Sequence, residues 1–258
     1  MNLARRIMMA RRMGADGGLL DWGSSWTPDV STFGSAGTGS NKWTGGILAP
    51  NGKIYSVPMQ STVVLEIDPE TMTSSTFGSI NGTWKYAGGV LAPNGKIYCF
   101  PSASNAVLEI DPEARNISTF GSLSGETKWN GGALAPNGKI YGIPRNDSSI
   151  LEIDPETRTA STFGSLAGSN KWYGGVLAPN GKIYGIPWDS STILEIDPET
   201  RTASTFGSLA GSNKWMGGVL APNGKIYGIP SNASTILEIG TESPQTLEKV
   251  LSPELNKF

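Results

Sequence analysis

Four aspartates, Asp68, Asp111, Asp154 and Asp197, stand 43 residues apart, each in the run Ile-Asp-Pro-Glu. Repeated carboxylates bring glycoside hydrolysis to mind, which needs two acids at a set separation across the scissile bond. Aspartate before proline also has a second use, accepting hydrogen bonds from the backbone of a tight turn. The turn reading is the stronger one. The five Gly-Gly strands that would face a central channel, from Gly45–Ala49 onward, contain no acid. Other catalytic chemistries fall by composition, because the chain has no histidine and one cysteine, Cys99. Ser-His-Asp and Cys-His nucleophiles are excluded, as are zinc and most transition-metal sites. A non-enzymatic protein with no cofactor and no metal is expected.

A second series is aromatic. Trp43, Tyr86, Trp129, Trp172 and Trp215 each follow the lysine of a Lys-(Trp/Tyr)-x-Gly-Gly motif that begins at Lys42, Lys85, Lys128, Lys171 and Lys214. Two roles fit these rings. Each is a wedge packed between neighbouring repeats, or each stacks on a sugar ring at the mouth of a cleft, with nearby Asn and Lys side chains as donors.

The elements that must position these residues follow from the repeat. The turn Pro-Asn-Gly-Lys begins at Pro50, Pro93, Pro136, Pro179 and Pro222, and the triplet Ser-Thr-Phe ends at Phe77, Phe120, Phe163 and Phe206, so the step is again 43 residues. A period of about 40–50 residues is that of a four-stranded propeller blade. Within one period the expected strands are Gly174–Ala178, Lys182–Pro187, Ile193–Ile196 and Thr202–Phe206, separated by Pro-Asn-Gly, a polar loop and Asp-Pro-Glu-Thr. With 34 glycines and 17 prolines in 258 residues, the composition is that of a turn-dense β protein.

The fifth period stops after Ile236–Ile239, whereas Pro28–Ser35 reads as a fourth strand with no third strand before it. The expected fold is therefore an all-β, five-bladed propeller of four-stranded antiparallel blades, closed by the N-terminal strand, which completes the last blade. The expected boundaries are a basic arm over residues 1–26, the propeller over 27–240 and a tail over 241–258.

The start of strand one and the end of strand two share one side of each blade, opposite Pro-Asn-Gly-Lys. The periods differ on that side. The residue before Gly-Gly is Thr44, Ala87, Asn130, Tyr173 or Met216, and the following loop opens with Met59, Ser102, Arg145, Trp188 or Ser231. Leu151–Pro187 and Leu194–Pro230 differ only at Tyr173 against Met216. Such variation marks a binding face or records drift in unconstrained loops. Tyr173, Arg145, Trp188 and Asp189 join the aromatic series as candidate ligand contacts.

The net charge of −2 gives the body no reason to bind nucleic acid or an anionic membrane, and no apolar run approaches the ~18 residues of a membrane span. The first residues lack the apolar stretch of a signal peptide, so the sequons at Asn81, Asn116, Asn146 and Asn232 carry no weight. Arg5, Arg6, Arg11 and Arg12 make the arm a candidate partner-binding segment, with nucleic acid, a membrane surface or a transit signal as other readings of it.

Five periods with a Trp-x-Gly-Gly strand resemble the five-bladed lectins of the tachylectin-2 type, a resemblance of architecture over residues 27–240 that implies binding of N-acetylated sugars between blades. The run Lys-Trp-x-Gly-Gly-x-Leu-Ala-Pro-Asn-Gly-Lys-Ile-Tyr-Gly-Ile-Pro resembles repeats of phage, large-virus and algal proteins. That resemblance implies a structural or adhesion component of a virus particle, anchored through both tails to other subunits and displaying loops toward surface glycans. A free soluble lectin, released or cytoplasmic, is the alternative.

Overall fold

The computed structural model describes residues 30–241, and the chain divides after Phe33 into two units. Of the first unit, residues 30–33 form no strand, and Val30 is almost fully exposed. The second unit, as described, is β throughout. Its first sheet holds β1 (Trp43–Leu48), β2 (Ile54–Pro58), β3 (Val64–Asp68) and β4 (Thr73–Phe77), antiparallel and in sequence order. Three more four-stranded sheets repeat this order, with first strands β5 (Tyr86–Leu91), β9 (Trp129–Leu134) and β13 (Trp172–Leu177). The last sheet has three strands, β17 (Trp215–Leu220), β18 (Ile226–Pro230) and β19 (Leu237–Ile239).

The strands of the fourth sheet show why these residues form these elements. β13 passes into β14 (Ile183–Pro187) through Ala178-Pro179-Asn180-Gly181, where the Gly181 N–H donates to the Ala178 carbonyl at 3.0 Å and Gly181 takes a φ of +81°, which glycine adopts without penalty. β15 (Ile193–Asp197) and β16 (Thr202–Phe206) are joined at Asp197, whose Oδ1 accepts from the backbone N–H groups of Glu199 and Thr200. Asp68, Asp111 and Asp154 cap their own turns in the same way. The aspartate series is therefore made of turn residues. β13 starts two residues before the expected Gly174, because Gly174, at φ +79°, forms a bulge that lets Trp172 pair with Pro187 across it.

The apolar core lies between sheets. Each of the four pairs of successive sheets encloses its own buried cluster, such as Ile143, Ile150, Trp172, Ile183 and Leu194 between the third and fourth. The first strands stand side by side in succession, β1 by β5, β5 by β9, β9 by β13 and β13 by β17.

The expected closure is corrected. Among the described residues the fifth sheet has three strands, and residues 30–35 form none. The hydrogen bonds of Ser35 run instead to the first sheet, where its N–H donates to Ser74 Oγ at 3.1 Å and its carbonyl accepts from the same hydroxyl at 3.3 Å. Among the described residues the series of sheets is not closed.

Candidate ligand-binding face

One end of each sheet carries a lysine, buried in four of the five. Lys171 is 3% exposed, and its ammonium donates to the carbonyls of Arg145 (3.3 Å), Asp147 (2.7 Å) and Gly168 (2.8 Å). Lys128 binds Ser102, Ser104 and Gly125 in the same manner, and Lys214 binds Trp188 and Gly211. Desolvation lowers the pKa of Lys85, Lys128, Lys171 and Lys214, yet the carbonyl oxygens around them favour the charged form. The ammonium groups of Lys128, Lys171 and Lys214 each tie the loop after strand two of one sheet to the first strand of the next, while that of Lys85 donates to the Gly82 carbonyl. The lysines expected as donors to sugar are buried at four of the five positions, and their protons are held by backbone oxygens.

The aromatic series sits directly behind these lysines. Trp129, Trp172 and Trp215 are at most 5% exposed, and each indole N–H donates to a carbonyl on the loop before its own third strand, those of Ser149, Thr192 and Thr235. Tyr86 is 1% exposed, its hydroxyl bonded to Ser104 Oγ and its pKa pushed up to about 12 by burial. These four rings are wedges and present no face to solvent. Trp43 is half-buried, with its N–H on the Val63 carbonyl.

The variable positions lie in front. Loop and first strand meet at one end, since the Trp188 N–H donates to the Lys171 carbonyl at 2.9 Å and the Asp189 N–H to the Asn170 carbonyl at 3.0 Å. Tyr173 and Trp188 are both half-buried, and they form an aromatic pair with centroids 5.6 Å apart and planes tilted by 41°. Arg145 is oriented by its Nε, which donates to Asn170 Oδ1 at 3.1 Å. Asn146 Oδ1 accepts from the Asn170 N–H, and Asp189 Oδ1 from the Asn213 N–H, both at 2.7 Å. Rigid rings flanked by a guanidinium and a carboxylate can stack on an apolar ring face and hydrogen-bond its hydroxyls. Arg5, Arg6, Arg11 and Arg12 lie outside the described residues.

Two open clefts of about 550 and 740 Å³ occupy equivalent places one period apart, beside Tyr86 and Trp43. The smaller is lined by neutral groups, among them Ser79, Asn81, Ser104, Asn105 and Thr119.

A further polar set escaped the sequence reading. Glu66, Glu109, Glu195 and Glu238 on the third strands accept from a tyrosine hydroxyl of their own second strand and from the lysine just before that strand, as Glu109 does from Tyr98 (3.1 Å) and Lys96 (3.0 Å). Arg115, Arg158 and Arg201 reach back from the following sheet to Glu66, Glu109 and Glu152. The sequence signal was a glutamate fixed at one position of an otherwise apolar strand. Among the described residues no acidic, cysteine or histidine cluster could hold a metal ion, and no helix is long and apolar enough to cross a membrane.

Residues 49–184, more than half of the chain, match the model of DUF6923, described as a repeat of unknown function. The chain belongs to this repeat family. No curated protein matches it by sequence. Solved structures do share its fold. Virginiamycin B lyase from Staphylococcus aureus superposes with a TM-score of 0.64 at 13% identity, over 79% of this chain and 71% of the lyase. The extracellular domain of a putative one-component system from B. thetaiotaomicron gives 0.62 at 14% identity, over 83% of this chain and 30% of that one. An auxiliary nutrient binding protein from Bacteroides ovatus gives 0.57 at 16%, over 78% and 56%. Together with the repeated four-stranded sheets, these matches make the chain a propeller-like repeat protein. Its fold is shared by an enzyme, the extracellular domain of a putative one-component system and a nutrient binding protein, so function has to be argued from the site.

Proposed function

We propose that this DUF6923 protein is a non-enzymatic binding scaffold that engages a surface glycan through Tyr173 and Trp188, with Arg145 and Asp189 as polar contacts. One observation carries the reading. Leu151–Pro187 and the segment one period later, Leu194–Pro230, differ only at Tyr173 against Met216, and there the fourth sheet places Tyr173 against Trp188, which the fifth replaces with Ser231, to form an accessible aromatic pair. The lysines, wedges and turns behind it are copied from sheet to sheet, as suits a frame, while the pair occurs in one sheet.

The comparison with the lyase supports a role other than catalysis. A histidine-to-alanine variant of that enzyme is catalytically inactive, whereas this chain has no histidine at all. The setting we propose is a phage or virus particle, with the tails as anchors to other subunits, a reading that rests on the resemblance of the repeat. The second reading, a soluble lectin with repeated sites, draws on the two equivalent clefts beside Trp43 and Tyr86.

The test is a glycan array probed with the full chain and with a Tyr173→Ala, Trp188→Ala variant of unchanged melting behaviour. Binding by the parent that the variant loses is expected. Equal binding by both would move the site to the clefts, and turnover of any glycan would end the non-enzymatic reading.

A further inference from the structure

All four junctions between successive sheets are built by one rule. The fourth residue of each second strand, Val57, Phe100, Ile143 or Ile186, is 0% exposed. It packs where the second glycine of the next first strand, Gly89, Gly132, Gly175 or Gly218, leaves room that a Cβ would fill. Polar groups repeat the match. The Asn51 and Asn137 amides donate forward to the carbonyls of Pro112 and Pro198 on the next sheet's Asp-Pro turn.

Among the described residues each half of this junction is left unused once. On the fifth sheet Ile229 is 51% exposed, and Val219 and Ile236 are exposed beside it. Asn223 donates to Tyr227 but, unlike Asn51 and Asn137, to no carbonyl beyond its own sheet among the described residues. On the first sheet a Cβ at Gly46 would meet only Ile54 and Ser56 of its own sheet among the described residues, and Leu48 is 62% exposed. Outgoing and incoming surfaces are therefore complementary by construction.

A third feature identifies the occupant. Gly34 lies against Ser74 of β4 as Gly78, leaving the fourth strand of the first sheet, lies against Ile117 of the second. By this measure the chain enters the first sheet as though leaving the fourth strand of a preceding one. Val30-Ser31-Thr32-Phe33 carries that strand's sequence, and a fourth strand is what β19 lacks.

We propose that the first sheet of a second copy docks on the fifth sheet of its neighbour, as another instance of the same junction, and lends residues 30–33 to the free edge of β19. The contact is head-to-tail, so it joins unlike surfaces and extends from copy to copy until it closes. It also lines up several Tyr173–Trp188 pairs, which raises avidity for a repetitive surface. The docking itself does not depend on the glycan reading.

Sedimentation of the full chain over a range of concentrations tests this. Mass rising above one chain is expected, and Ile229→Lys, at a position half-exposed in the single chain, should hold it at one. A Ser31→Cys, Glu238→Cys variant places thiols at paired positions of the proposed strand contact, and the buried Cys99 does not compete. On oxidation it should give covalent dimers and longer ladders. A chain that stays at one mass, or a disulfide formed only within single chains, would overturn the proposal; the latter would show that the fifth sheet takes up its own N-terminal segment.

Discussion

Lys171 shows how a charged side chain becomes part of an interior. Burying an ammonium is costly unless its protons find acceptors, and here three carbonyls receive it. The converse is that removing it strands those carbonyls. Lys171→Ala is expected to lower unfolding free energy by about 1–3 kcal/mol, read by urea denaturation. In contrast, Tyr173→Ala at the neighbouring accessible ring should change it by no more than about 1 kcal/mol. The lysines were visible in the sequence as an invariant feature of each period, but their role was not. A lysine beside an aromatic reads equally as a ligand donor or an internal tie, and only the convergence of a preceding loop on it, 24 to 26 residues away in sequence, decides between them.

At the scale of the element, the hairpins were legible because their turn chemistry is explicit. Pro-Asn-Gly and Asp-Pro-Glu fixed both strand ends and the alternation between them. The bulge was not, since a Gly-Gly pair marks freedom of the backbone without saying which glycine uses it. The first, Gly174, supplies the left-handed bend, and the second, Gly175, supplies room for Ile143 from the preceding sheet. Gly175→Ala should therefore cost about 1–3 kcal/mol, and the double variant with Ile143→Ala should cost less than the sum of the two, a coupling readable by thermal or denaturant unfolding. The turn aspartates make a different prediction. Backbone N–H groups of Thr157 and Glu156 hold Asp154 below its ordinary value of 3.8, so its contribution is fully present above that pH and is lost as pH falls through the lower folded value. Asp154→Asn should flatten the acid side of the stability profile, and a variant that loses stability below pH 4 as steeply as the parent would contradict the assignment.

For the whole molecule, the period and the four-stranded unit could be read directly, but the ends could not. Sequence likeness identified residues 28–35 as a fourth strand and assigned it to the open edge of the fifth period, whereas residues 30–35 form no strand and Ser35 bonds to the first sheet, because likeness to a strand does not by itself supply the partner edge. The binding face was equally ambiguous. Five aromatics of identical spacing looked like five sites, whereas burial withdraws four of them and leaves Trp43 half-buried, and the asymmetric feature of the copied frame is instead the Tyr173–Trp188 pair. That asymmetry is the central claim, and it makes a countable prediction. Calorimetric titration of the full chain with the oligosaccharide that binds most strongly on the array should give one site per chain, abolished in the Tyr173→Ala, Trp188→Ala variant. Several equivalent sites per chain, retained in that variant, would contradict the account and assign recognition to the repeated clefts.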